Sequence, residues 1–335
     1  MAAPVTRPLD GQLGLFGDPA PAAPGVTPAG VHEALVDLAG RLPPGFRLGT
    51  SSWSFPGWGG HVWAGEYPET VLARAGLAAY AAHPLLRTVG LDRSYYAALS
   101  AAQYRAYAEQ VPADFRFVVK APADLTQARL HQPSPVTGRR DNRRFLDPAW
   151  CAREVVEPLL EGLGPRLGVL LLQFPQMPPR WFADPQPFAD RLAALLCSLP
   201  PALPRAVELR NPELLCDPVY EALELSGTGY CYTVHPATLD IAAQHARLPA
   251  SLATDGPLLV RWNLHPGMRY EQARSRFRPF THLQAEDRAN RPAIAALRRR
   301  ALAEGRAAYV IANTQAEGCA PETLFRLAAE VAPSR

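Results

Sequence analysis

Lys120 is the single lysine of a 335-residue chain in which every other one of the 34 lysine and arginine residues is arginine. The two side chains are chemically different. An ammonium is compact and gives up its proton when buried, whereas a guanidinium stays charged. A lysine kept against this arginine bias is a candidate for acid–base or nucleophilic work. It closes the run Phe117-Val118-Val119-Lys120, and Pro122 follows. Four other apolar runs end the same way, at Gln173-Phe174-Pro175, Arg210-Asn211-Pro212, His235-Pro236 and His265-Pro266. Proline donates nothing to a sheet ladder and stops a strand. The polar residue ahead of each proline then sits at a strand's carboxyl end.

Residues two apart on a strand share a face. Glu208 and Arg210 therefore point one way, as do Arg261, Asn263 and His265; Asp92 and Ser94 end another run, and Asn313 ends the last. A glutamate held ionised beside arginine suits a general base, a metal ligand or a substrate clamp. It equally suits a buried ion pair closing the top of a barrel. Lys120, Glu208 and Asp92 are the candidate catalytic groups. Trp53, Gln173, Arg210, Arg261 and Asn313 are the candidate substrate contacts. Glu208, His235 and His265 would make a metal site only if they converged. The chain has no HExxH spacing, close cysteine pair, Walker A loop or GxGxxG turn, so no metal is assigned and no cofactor is named.

These residues need strands to hold them. Apolar runs rich in β-branched residues fall at 46–53, 87–94, 115–120, 167–174, 205–210, 229–235, 258–265 and 307–314. Helical patterns lie between them at 70–82, 100–110, 149–162, 186–198, 214–226, 285–304 and 320–331. Strand alternating with helix implies parallel pairing, because parallel neighbours need crossover connections. Eight units predict a (β/α)8 TIM-like barrel over residues 31–335, with an open doubly wound sheet as the competing topology. In such barrels the carboxyl ends of the strands carry the active face. Residues 1–30, rich in Pro, Ala and Gly, read as a disordered tail.

Two connections leaving that face are basic. One, 129–144, holds Arg129, Arg139, Arg140, Arg143 and Arg144; the other, 261–278, holds Arg261, Arg269, Arg274, Arg276 and Arg278. Trp58, Trp63, Trp262, Tyr270, Phe277 and Phe280 accompany them. Arginine with aromatics suits an anionic, ring-bearing small molecule or single-stranded nucleic acid. Backbone N–H groups where a helix opens around Pro321, after Gly318, add a weak phosphate signal. The net charge is only +3, so this is a local asymmetry. No apolar run reaches the roughly 18 residues of a membrane span. With five scattered cysteines and no secretory pattern at the amino terminus, a reduced cytoplasmic protein is expected.

The segments resemble the YecE-like family of TIM barrels, a family without an assigned function. The likeness begins at Gly49-Thr50-Ser51-Ser52-Trp53-Ser54-Phe55-Pro56-Gly57-Trp58. It continues through Val118-Val119-Lys120-Ala121-Pro122, Gln173-Phe174-Pro175, Glu208-Leu209-Arg210 and Val260-Arg261, and closes at Asn313, Gly318 and Ala320-Pro321. The resemblance implies a TIM barrel and supplies no reaction. Asp92-Arg93-Ser94-Tyr95-Tyr96, Asn211, Thr126-Gln127 and Thr314 stand where the family pattern differs, which implies a divergent member.

Within the tail, Gln12-Leu13-Gly14-Leu15-Phe16 is an apolar island flanked by Gly11 and Gly17. It is similar to the short peptide with which many bacterial DNA polymerases and repair proteins dock on the sliding clamp. The expectation is an enzyme, hydrolase- or lyase-like, acting on an anionic phosphate-bearing or nucleotide-like substrate. The alternative is a clamp-recruited nucleic-acid-binding protein with little catalysis.

Overall fold

The computed structural model of the chain describes residues 25–128, 142–177, 179–252 and 256–333. Its strands are β1 (Phe46–Thr50), β2 (Leu86–Leu91), β3 (Arg116–Lys120), β4 (Leu167–Phe174), β5 (Arg205–Leu209), β6 (Gly229–Val234), β7 (Leu258–Trp262) and β8 (Ala308–Ala312). Each pairs in parallel with the next, and β8 returns to β1, so the sheet closes into a barrel and the open-sheet alternative falls away. Each expected run forms a strand. Several stop short of their expected carboxyl ends, because the polar residues there leave the ladder to bond elsewhere. At the first pairing, β1 and β2 shift register between Leu48 and Gly49. A Cβ at Gly49 would collide with the Thr88 carbonyl, which is why glycine stands there.

Two apolar layers hold the barrel. The outer one lies between strands and helices and takes Val119, Leu170, Leu172, Val207, Val260 and Val310. The opposite face of the same strands fills the lumen with Val118, Val169, Leu171, Ala206, Cys231, Leu259, Tyr309 and Ile311, each 5% exposed or less. Tyr309 lies toward the amino-terminal end, close enough to Arg47 and Arg116 for both to act on it electrostatically.

The helices Gln186–Ser198 and Ala320–Val331 fall where the periodicity predicts. The 149–162 stretch is broken instead into Pro148–Cys151, a π-helical turn Ala152–Val156 and Glu157–Leu163, as Pro158 lacks the N–H that a continuous helix needs. Glu33–Arg41, Ile241–Arg247 and Tyr270–Phe277 are further helices, too short for their period to stand out. Residues 27–29, assigned to the tail by composition, are tied to the barrel: Ala29 N–H donates to the Val62 carbonyl and Ala64 N–H to that of Thr27. Gln12, Leu13, Leu15 and Phe16 lie outside the described residues. Among the described residues no helix is long and apolar enough to cross a membrane.

Candidate functional site at the barrel mouth

Strand parity carries the lumen layer directly into the site. Two residues beyond Val118, Leu171, Ala206 and Leu259 stand Lys120, Gln173, Glu208 and Arg261, on the same faces and at the carboxyl ends. The apolar plug is therefore the floor of a polar mouth.

Glu208 is the centre, with 0% exposure. Arg210 Nε donates to its Oε1 at 3.1 Å, and Arg261 Nη1 to its Oε2 at 2.6 Å. Gln173 Oε1 accepts from Arg210 Nη2 and Arg261 Nη1, each at 3.4 Å, and braces both guanidiniums. Asp92 Oδ2 lies 3.8 Å from Arg261 Nη2 on the opposite side. Burial would raise the Glu208 carboxyl. The charges of Arg261 and Arg210, the Arg261 hydrogen bond and Lys120 together outweigh it and hold the group at about 2. Near neutrality the carboxylate is ionised, and each of its oxygens accepts from a guanidinium. These two bonds fix the positions of both arginines.

Lys120 is 9% exposed. Its Nζ lies 3.6 Å above the centre of the Tyr95 ring, a cation–π contact. Among the described residues no carboxylate oxygen forms an ion pair with it. Burial lowers the ammonium from its usual 10.5 to about 7; Asp92 opposes this, while Arg261 and Arg210 reinforce it. The backbone around it is fixed: Ser94 Oγ lies 2.6 Å from the Lys120 carbonyl and 2.9 Å from that of Leu91. Tyr95 is held in turn by Gln127 Nε2, which donates to its hydroxyl at 2.5 Å.

His235 stands 3.5 Å from Arg210, Nε2 to Nη1. Its Nδ1 lies 3.1 Å from the Ala237 N–H, so donors face both ring nitrogens. Burial, then Arg210, pushes this imidazole down to about 4. It is neutral at ordinary pH. Tyr95 and His235 are mouth residues that the candidate set omits. His235 carried a signal, its place before Pro236. Tyr95 carried little, because Arg93–Tyr96 is one helical turn and strand parity ends at Leu91.

Other candidates are placed differently. Trp53 is buried in the outer core, edge-on to Tyr107 with ring centres 5.6 Å apart. Asn313 Oδ1 accepts from Gln315 N–H and caps the short helix Thr314–Glu317 at the end of β8. Asn263 turns aside to donate to Thr233 Oγ1 at 2.8 Å, and His265 Nδ1 accepts the Gly267 N–H. Glu208, His235 and His265 do not converge; among the described residues no three His, Cys, Asp or Glu side chains are grouped to hold a metal ion. At the helix opening near Pro321, the Glu322 side chain accepts the Leu283 N–H at 2.5 Å.

The expected aromatic platform is a closed apolar cap. Phe277 and Phe280 pack with Leu264, Met268 and Ala273, and Phe55 lies edge-on to Phe280. Trp58 and Trp63 are fully buried against one another. Arg129, Arg139 and Arg140 lie outside the described residues; Arg144 pairs with Asp124 at 2.6 Å. Arg269, Arg276 and Arg278 are exposed.

Residues 47–335 match the model of a family described as protein of unknown function DUF72. A DUF72 family protein from Thermotoga maritima is similar in structure, with a TM-score of 0.54, 20% identity, and coverage of 85% of this chain and 98% of that one. Another from Enterococcus faecalis gives 0.53 at 18% identity, covering 87% and 96%. Both likenesses concern the fold. No curated protein matches the chain.

Proposed function

Because the chain belongs to the DUF72 family, whose description assigns no activity, we propose a function from the mouth itself: an enzyme that holds a small anionic substrate with Arg210 and Arg261 and moves a proton with Lys120. The observation that carries this reading is the charge arrangement. Two carboxylates, Glu208 and Asp92, face three cationic side chains, Arg210, Arg261 and Lys120. With Lys120 protonated the mouth holds one positive charge in excess. An anion entering there neutralises it in a setting of low dielectric, where charge-assisted hydrogen bonds are strong. A lysine near 7 supplies acid and base at neutral pH without further help.

Glu208 and Gln173 keep the arginines pre-positioned, so binding needs little rearrangement. Arg210 is the residue to test, because its side chain is 22% exposed and Glu208 keeps Arg261 when it is removed. Calorimetry with inorganic phosphate and with short carboxylic acids should show binding to the parent chain. Arg210→Gln should weaken it tenfold or more, about 1.4 kcal/mol. Equal affinity in the two proteins would remove the mouth from this account.

A second reading, single-stranded nucleic acid at the same face with recruitment to a sliding clamp through residues 12–16, is favoured by the exposed Arg269, Arg276 and Arg278. It requires affinity for a labelled single strand that falls steeply with salt, as counterion release demands. Replacing those three arginines with serine should flatten the slope.

A further inference from the structure

We infer that Lys120 is a covalent nucleophile, and that the mouth takes a small oxo acid whose carbonyl carbon forms an imine with Nζ. The inference rests on the anion-binding reading above and deepens it.

Three observations lead here. Nζ is held in place over the face of Tyr95, and among the described residues no carboxylate forms an ion pair with it, so no salt bridge ties up the amine. The backbone on either side is fixed by Ser94 and by the Ala121 N–H, which donates to the Leu171 carbonyl, so the amine approaches from a set direction. The anion-holding arginines stand at the same mouth and act on the amine electrostatically. A carboxylate held by Arg210 and Arg261 delivers an adjacent carbonyl to the amine, which is the geometry of a 2-oxo acid. The rival nucleophile of the lumen, Cys231, is fully buried, and burial pushes its thiol well up.

The step balances without a redox partner. The neutral amine adds to the carbonyl carbon, and one N–H proton passes to the carbonyl oxygen to give a carbinolamine. A second proton, taken from solvent through Asp92, leaves with that oxygen as water when the C–O bond breaks. The product is a protonated imine on Nζ. Its positive charge draws electrons from the neighbouring carbon bonds, so the class of chemistry it opens is lyase-like.

Because Lys120 is the only lysine, any ε-amine adduct is an adduct at this residue. The full chain would be treated with pyruvate and sodium cyanoborohydride, then read by intact mass and peptide mapping, with the chain's α-amine as an internal reference. The expected result is one reduced adduct at Lys120, absent from Lys120→Arg and suppressed by lactate, which has the carboxylate without the carbonyl. The labelling rate should rise with pH through about 7. Label confined to the α-amine, with lactate still bound in calorimetry, overturns the imine and leaves the anion site standing. Neither label nor lactate binding overturns both. Labelling of Lys120 no faster in the folded chain than in the urea-unfolded one also overturns the inference.

Discussion

Two glutamates in this barrel are buried to 0% exposure beside arginine, and they are used in opposite ways. Glu317 ends the short helix after β8. Both its oxygens lie 2.7 Å from Arg291 Nη2, and the Asp287 N–H donates to Oε1 at 2.6 Å. Arg291 in turn lies 5.5 Å over the Trp262 ring, on the side of β7 away from the lumen. Glu317 meets one buried guanidinium and a backbone donor, and Glu286 adds a second carboxylate 3.7 Å from the same Arg291 nitrogen. Glu208 is divided between two arginines, with a lysine and a histidine standing by. A buried carboxylate that is matched serves the fold. One that is outnumbered keeps cationic donors aimed at an opening.

The comparison is most easily broken by stability. Glu317→Gln leaves Arg291 with only the partly exposed Glu286 at 3.7 Å, so unfolding should become easier by about 3 kcal/mol. Glu208→Gln should cost clearly less, because Arg210 reaches water and Gln173 still braces Arg261. Chemical denaturation of both variants decides it. Equal losses would mean that the mouth network is as structural as the Glu317 pair.

Next in size is a pH effect confined to the mouth. Lys120 has a depressed folded pKa, so between about 7 and its usual 10.5 the unfolded chain binds the proton that the folded chain has released. The Lys120 contribution to stability therefore rises with pH across that window, by at most about 1.4 kcal/mol per pH unit, and is at its most unfavourable below it. Lys120→Met should remove this slope and raise the melting temperature at neutral pH. A slope that survives the substitution would assign the titration elsewhere.

The smallest effect sharpens the electrostatics. Asp92 is the strongest influence raising the Lys120 pKa. Asp92→Asn should lower it further, by about one unit, while Arg261→Gln should raise it. With one lysine in the chain, a single labelled ε-amine signal followed by NMR reads both shifts without assignment.

Much of this was legible in the residues. Strand positions followed from β-branched runs cut by proline, and that same punctuation marked Lys120, Gln173 and Arg210 as facing one mouth. Parity then joined Glu208 and Arg261 to them. Legibility ended where period-2 geometry ended. Tyr95 lies on a helical turn, so nothing in spacing places it under Nζ, and Asn263 lies just past β7, so parity with Arg261 no longer binds it. Trp53 sits in a motif shared with a family, but a large apolar side chain beyond a strand end goes where volume is available, here against Tyr107. The Glu317–Arg291 pair was invisible, because two helices 26 positions apart in sequence carry it and no local pattern couples them.

The apolar plug in the lumen has a kinetic consequence. With Val118, Leu171, Ala206, Cys231, Leu259, Tyr309 and Ile311 filling the barrel, no path runs through the lumen beneath the polar mouth among the described residues. Whatever enters must leave by the path it took, so a product blocks the next molecule until it departs. The same path is the route by which Lys120 exchanges protons with bulk water. A ligand seated in the opening would therefore trap the amine in whichever protonation state it held on arrival. On the proposed function, ligand capture would then sort the protein into amine and ammonium populations that interconvert only between visits.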